Sequence, residues 1–315
     1  MAELPSDRPA RLAIIHRAFA LGINLFDTAD VYAAGEEERL LGEALRDLPR
    51  SEVVVASKCG LGMGPAANAR GLSRKHIVES CHGSLRRLGL DYLDLYQFHA
   101  PDPGTPLEES VAAVDLLQRQ GLILYWGVSN YQEAHYQELL DACRAVGVQP
   151  PVSNQIKHNL LRRGAEERLL PLLRRSGAGV LSYSPLEQGF LTGKYRAAAD
   201  AAAGNRLGQR GPEAAAAILS AHNLAAMDGL RPLAAQAGLT PTQLALAWLL
   251  REPIVASALI GASRPEQLDD CVAASGVVLP ADLLDAIERL LRVRLARIRM
   301  DDCAQELAAC TPPAR

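Results

Sequence analysis

Phe26-Asp27-Thr28-Ala29-Asp30-Val31-Tyr32 is the stretch whose reading decides the fold. It follows Gly22-Ile23-Asn24-Leu25, which reads as a short buried strand entered from a helix. An acid at the end of such a strand, with a tyrosine five residues on, puts two ionisable groups at the mouth of whatever sheet the strand joins. Alone, the pair is read as easily as a turn cap and a rim aromatic. Two later strands change that, because each also runs into an ionisable group. Val53-Val54-Val55-Ala56-Ser57 leads into Lys58, and Leu93-Asp94-Leu95-Tyr96-Gln97-Phe98 leads into His99.

Working outward, strands and one-faced helices alternate along the chain. Helices are expected at 8–21, 36–46, from Ser73 to Leu88, 107–119, 132–146, 165–176, 213–227, 241–251 and 265–274. Strands are expected at 23–27, 53–57, 93–98, 124–128, 152–156, 179–183 and 257–260. Acids at the start of 36–46 suit a helix dipole, and Ser73 and Thr240-Pro241 read as helix openings. From Ser184 to Gly211-Pro212 the chain reads as loop, with 197–204 of low complexity. From about 280 a long helical tail is expected, with Leu283, Ile287, Leu290, Leu291, Leu295 and Ile298 on one side. Arg289, Arg292, Arg294, Arg297 and Arg299 lie on the other, a solvated face, and Pro312-Pro313 ends it.

Such alternation implies a parallel sheet with helices outside, and right-handed crossovers then bring every strand's C-terminal end to one side. The polar groups named above all fall at those ends, where a TIM-type (β/α)8 barrel carries its active site. An open doubly wound sheet would carry a G-x-G-x-x-G after an early strand, and none is present. The whole chain, 1–315, reads as one barrel domain with its helical tail.

Composition sets outer limits. At 315 residues and 49% hydrophobic the chain can bury a full core. Thirty-three basic and 36 acidic residues give a net charge of −3, which offers nothing to a nucleic acid. The six cysteines form no C-x-x-C pair and no metal-ligand spacing, so free thiols and no metal are expected. Residues 1–11 lack the apolar core of a signal peptide, and no apolar run approaches the roughly 20 residues of a membrane span. A cytoplasmic protein is expected.

The strand ends suggest a chemistry. A tyrosine is a poor acid at neutral pH, with a reference pKa of about 10. An adjacent ammonium favours its phenolate, and a carboxylate behind the ammonium keeps that cation charged when buried. Tyr32 can then donate a proton to a developing alkoxide, tuned by Lys58 and Asp27, while His99 orients a carbonyl.

The segments 22–32 (GINLFDTADVY), 53–58 (VVVASK), 91–99 (DYLDLYQFH), 125–130 (YWGVSN), 182–195 (SYSPLEQGFLTGKY) and 261–268 (GASRPEQL) together resemble the aldo-keto reductase family. The likeness runs from about residue 10 to 275, nearest the branch of bacterial general aldehyde reductases and potassium-channel β-subunits. It implies a TIM barrel that binds NADPH in extended form and reduces a small-molecule carbonyl, with Asp27, Tyr32, Lys58 and His99 as catalytic tetrad. It also implies that Ser129, Asn130 and Gln155 hold the nicotinamide carboxamide and that Tyr183 stacks on its ring. Ser184, Pro185, Leu186, Gln188, Gly189 and Lys194 match the loop around the pyrophosphate. Gly261, Ser263, Arg264, Gln267 and Asp270 match the adenosine 2′-phosphate end, which favours NADPH over NADH.

The chain departs from the pattern in three places. Ala33 stands where a glycine often follows the tyrosine, and Glu37-Glu38 replaces a usual Ser-Glu. The family's N-terminal β-hairpin and first strand have no counterpart before residue 22, so seven strands are expected. A start assigned too far downstream would explain this. Open edges at 23–27 and 257–260 lead to the expectation of instability, association through the edge into a homo-oligomer, or weak NADPH binding. Beside a carbonyl reductase, the resemblance leaves open a cofactor-binding regulatory protein of channel β-subunit type, or an inactive barrel.

Overall fold

The computed structural model describes residues 7–201 and 207–295. Its helices and strands alternate: α1 (Arg8–Ala20), β1 (Leu25–Asp27), α2 (Glu36–Leu45), β2 (Val54–Cys59), α3 (Arg74–Leu88) and β3 (Leu93–Phe98). They continue with α4 (Leu107–Arg119), β4 (Ile123–Ser129), α5 (Glu133–Val146), β5 (Ser153–Lys157), α6 (Leu169–Ser176) and β6 (Gly179–Tyr183). The last are α7 (Pro212–Ile218), α8 (Ala221–Gln236), α9 (Pro241–Leu250), β7 (Val255–Leu259), α10 (Glu266–Val272) and α11 (Ala281–Leu295).

The strands pair in parallel and in sequence order, β1 to β7, and among the described residues they form a nearly closed seven-stranded barrel of the (β/α)8 type lacking one strand. The period-2 alternation of strands explains its two cores. Phe26, Val55, Tyr96, Phe98, Trp126, Val128, Ile156 and Val180 belong to the large outer core under the helices. Ala56, Leu95 and Leu181, with Leu25 and Leu259, form a small separate cluster inside the barrel. Two residues further along the same strands stand Asp27, Lys58, Gln97 and Tyr183. The interior is thus apolar below and polar at the C-terminal rim.

Helix ends follow their sequence signals. Ser73 Oγ accepts from His76 N at 3.3 Å, and Thr240 forms a complete capping box with Gln243. Gly42 allows α2 to rest on α3, since a Cβ there would collide with the Leu88 carbonyl.

Several boundaries differ from expectation. The helix expected at 213–227 is two helices, because Ser220 caps a new one by accepting from Asn223 N, and α8 runs on through Pro232. The 165–176 helix opens with a separate 3-10 turn, Gly164–Glu166. Lys58 lies inside β2, which continues to Cys59 because Ala56, Ser57, Lys58 and Cys59 all pair with β3. β7 begins at Val255 and α10 at Glu266. Glu38, expected among the dipole-facing acids, is fully buried, with Ser57 Oγ donating at 2.6 Å and Arg87 Nε at 2.5 Å. The tail helix is seen to Leu295. Arg297, Ile298, Arg299, Pro312-Pro313 and residues 202–204 of the low-complexity stretch lie outside the described residues.

Candidate active site

Asp27, Lys58, Tyr32 and His99 meet at the C-terminal rim. Lys58 Nζ donates to Asp27 Oδ2 at 2.5 Å, to the Thr28 carbonyl at 2.9 Å and to Tyr32 Oη at 3.4 Å. Burial, the largest influence, pulls the ammonium's pKa down, yet Asp27 and then Tyr32 together hold it above its ordinary value. Lys58 is therefore a fully buried cation. The other oxygen of Asp27 accepts from Gln97 Nε2 at 3.1 Å and Gln155 Nε2 at 2.8 Å, so the carboxylate is fixed from both sides.

His99 lies edge-on to the Tyr32 ring, with centroids 5.6 Å apart. Burial, and after it the Lys58 charge, press its pKa well below the ordinary value, so the imidazole is neutral at physiological pH. Its Nδ1 has no hydrogen-bond partner among the described residues. The tetrad thus presents one phenol backed by a buried cation and one neutral imidazole. That combination can donate a proton to, and polarise, a carbonyl oxygen.

The loop after Tyr32 carries strain. Ala33 and Ala34 both have positive φ, 47° and 53°, where a glycine would be at ease. Each such residue costs about 1–2 kcal/mol.

Next along the rim, Asn130 is a hub at φ 63°. Its Nδ2 donates to the His99 carbonyl and to Ser129 Oγ, both at 3.0 Å, and its Oδ1 accepts from Tyr183 Oη at 2.8 Å. Ser129 Oγ donates to the Gln155 carbonyl at 3.0 Å. The side-chain amide of Gln155, expected at a nicotinamide carboxamide, donates to Asp27 and so links that pocket to the tetrad.

After β6, Ser184, Glu187 and Gln188 have φ of 51°, 44° and 59°, a second strained loop. Gln188 Nε2 donates to Ser184 Oγ at 3.0 Å, while Pro185 and Leu186 lead into the turn. Lys194 Nζ lies 3.3 Å from where a Cβ on Gly189 would be, so a larger residue would crowd that ammonium. At the next strand end, Ser263 N donates to Gln267 Oε1 at 2.8 Å. Asp270 accepts from Thr240 Oγ1 and Gln243 Nε2, each at 2.9 Å, tying α10 to the start of α9. Gly261 and Arg264 are exposed, and Arg264 makes no ion pair among the described residues.

A nicotinamide dinucleotide has an apolar ring with an amide, a charged pyrophosphate and an adenosine. The rim offers Tyr183 with Ser129 and Asn130, then a loop with an adjacent ammonium, then an exposed arginine, in that order around the strand ends. His99, whose carbonyl accepts from Asn130 Nδ2, adjoins the first of these. The donor set fits the group.

Two features of the rim were missed in the sequence. Gln97 holds Asp27 from inside β3; it stands two residues after Leu95, and that inward alternation was the available signal. Asp30 is fully buried two residues before Tyr32. Burial, followed by the nearby Glu38 carboxylate, pushes it up to about 7 against the smaller opposing effects of the Val31 N–H, Arg87 and Lys58.

Residues 2–292 match the family described as "Aldo/keto reductase family". A protein of Schizosaccharomyces pombe named "Putative voltage-gated potassium channel subunit beta" is 38% identical over 286 residues, covering 88% of this chain and 83% of that protein. Arabidopsis thaliana and Oryza sativa proteins, each named "Probable voltage-gated potassium channel subunit beta", are 37% identical over 281 residues and 36% over 291. They cover 88% and 90% of this chain, and 85% and 88% of their own lengths.

Proposed function

The chain belongs to the aldo/keto reductase family, a family of oxidoreductases, and on that premise we propose that it uses NADPH to reduce aldehyde or ketone carbonyls to alcohols. The observation that carries this reading is the buried Lys58 ammonium held between Asp27 and Tyr32. Bound NADPH would supply a hydride to the carbonyl carbon. Ser129, Asn130, Gln155 and Tyr183 would hold its nicotinamide. Ser184, Pro185, Leu186, Gln188, Gly189 and Lys194 would hold its pyrophosphate. Gly261, Ser263, Arg264, Gln267 and Asp270 would hold the phosphorylated adenosine, where Arg264 can form charge-assisted hydrogen bonds with a 2′-phosphate.

The chain's own residues do the rest. Neutral His99 donates a hydrogen bond to the carbonyl oxygen and so orients it. Tyr32 Oη gives its proton to that oxygen as charge develops there. The negative charge left on Tyr32 lies beside Lys58 Nζ, and Asp27 keeps that ammonium protonated throughout. A cytoplasmic location belongs to the same reading.

The test is consumption of NADPH, followed by absorbance, with a generic aromatic aldehyde. Binding is measured first, by quenching of intrinsic fluorescence. The names of the relatives favour a second reading, a cofactor-binding subunit of a channel assembly with little turnover. Tight NADPH binding without consumption across a panel of aldehydes and ketones would select it.

A further inference from the structure

Glu187 is the one acid of the 184–189 segment that follows β6, and its side chain turns inward. It is fully buried. Its Oε2 accepts from Asn159 Nδ2 at 2.7 Å, and its Oε1 lies 3.2 Å from both Lys157 Nζ and Arg162 Nε. Asn159 joins two pieces of chain. Its Nδ2 also donates to the Ser184 carbonyl at 2.9 Å, and its Oδ1 accepts from Leu161 N at 2.9 Å and Arg162 N at 3.0 Å. The turn after β5 is therefore riveted to the loop after β6 at both Ser184 and Glu187.

Those two residues, with Gln188, are the non-glycine residues of this loop held at positive φ. Left-handed backbone on non-glycine residues persists only where surrounding contacts over-determine it. The contacts that fix Ser184 and Glu187 meet at Asn159, which donates to the Ser184 carbonyl and to the Glu187 carboxylate. Lys157, moreover, is the register partner of Tyr183, the last residue before the loop. The cluster thus sits directly beneath the segment assigned to the pyrophosphate.

We propose that Glu187 is a positioning residue for dinucleotide binding: clamped by Lys157, Arg162 and Asn159, it holds the 184–189 loop in the shape that receives the pyrophosphate. It touches no reacting atom, so its removal falls on NADPH affinity and not on the chemical step. The inference rests on the NADPH reading above. Its structural half, that this carboxylate sets the loop's conformation, stands without it.

The experiment compares Glu187→Gln with wild type in the full chain. Glu187→Gln keeps the shape and the hydrogen bond from Asn159 but removes the charge opposite Lys157 and Arg162. NADPH affinity, by fluorescence quenching, is expected to fall at least about tenfold, the equivalent of one charge-assisted hydrogen bond. Adenosine 2′,5′-bisphosphate, a probe that lacks the bridging pyrophosphate, is expected to bind both proteins equally. Turnover at saturating NADPH is expected to change by less than about threefold, which separates positioning from catalysis. Amide hydrogen exchange over 187–193 is expected to speed up in the variant without any cofactor present.

Equal loss of both ligands, or a collapse of turnover at saturation, would overturn the proposal. So would unchanged NADPH affinity with unchanged exchange. If wild type fails to bind NADPH while the exchange difference appears, the cofactor reading falls and the anchoring role survives. Should Glu187→Gln fail to fold, Asn159→Ser cuts the link to Ser184 and leaves the ion pairs standing. The same NADPH-specific loss is then expected, and its absence counts against the proposal.

Discussion

Two buried charge clusters lie at the same rim, and they are built oppositely. At the ends of β1 and β2 the centre is a cation, Lys58, with Asp27 on one side and the phenol of Tyr32 on the other. Between β5 and β6 the centre is an anion, Glu187, surrounded by Lys157, Arg162 and Asn159. Burial strips water from both, so each survives only through its partners. One partner of Lys58 can itself lose a proton. Glu187 is held by an ammonium, a guanidinium and an amide, none of them part of the tetrad. Burial alone would raise the pKa of Glu187, but Lys157 and then Arg162 outweigh it and hold the carboxyl below its ordinary range. In the proposed mechanism the first cluster passes a proton to the substrate, and the second holds a loop in shape.

The sharpest way to break the contrast is at Tyr32. Tyr32→Phe is expected to lower carbonyl reduction by about 10²–10⁴-fold with NADPH affinity nearly unchanged, and Lys58→Met should do the same. A Phe variant that keeps more than about a tenth of the activity would remove Tyr32 from its role. For the other cluster the large effect falls on stability. Glu187→Ala leaves two cations facing each other without their acid, a loss of about 3–5 kcal/mol for a broken buried pair. Denaturant unfolding measures it, and a loss under about 1 kcal/mol would mean the cluster relaxes freely.

Asp30 tests whether the first cluster is as isolated from bulk pH as its burial implies. Its folded-state pKa is raised from 3.8 to about 7. Across that window the folded chain keeps a proton the unfolded chain has lost. Its contribution is therefore complete below pH 3.8 and is lost as pH rises towards about 7. Asp30→Asn should remove that slope, gaining up to about 4 kcal/mol at neutral pH relative to wild type. Parallel pH–stability curves for the two proteins would refute the assignment.

Arg264 supplies the exposed counterpart to both buried clusters. Arg264→Ala should weaken NADPH by about 10–150-fold and spare NADH, with the difference shrinking as salt rises. Equal losses for both cofactors would place Arg264 away from the phosphate. The smallest effect concerns strain. Ala33→Gly relieves a left-handed alanine and is expected to stabilise by about 1 kcal/mol, visible as a rise in melting temperature.

The barrel was legible because it is written in short-range pattern. The first three strand runs lead into polar residues, and Asp27, Lys58 and His99 fall at or beside the ends of consecutive neighbours. The tetrad therefore converges from order alone. Glu38 was misread because charge at a helix start usually faces water. Its spacing to Leu41 and Leu45, three and seven residues on, puts it on the apolar face and was the available clue. Its partner Arg87 lies 49 residues away, a pairing no local pattern encodes. The Glu187 cluster stayed hidden for the same reason, since a loop glutamate looks solvent-facing until the turn after β5 is seen beneath it. The break at Ser220 was readable, because a serine in an alanine-rich run is a capping residue before it is a helix former.

The order of the strands has one more consequence. Because, among the described residues, β1 to β7 each pair only with the next in sequence, the sheet is a queue whose interior members have two neighbours and whose ends have one. Opening should therefore start from the ends. β1, three residues long, and β7 would release their amides to solvent first, and β3 and β4 last. Asp27 belongs to that first strand, so the earliest local unfolding would take away the counter-ion of Lys58. Activity would then be lost well before the barrel as a whole comes apart.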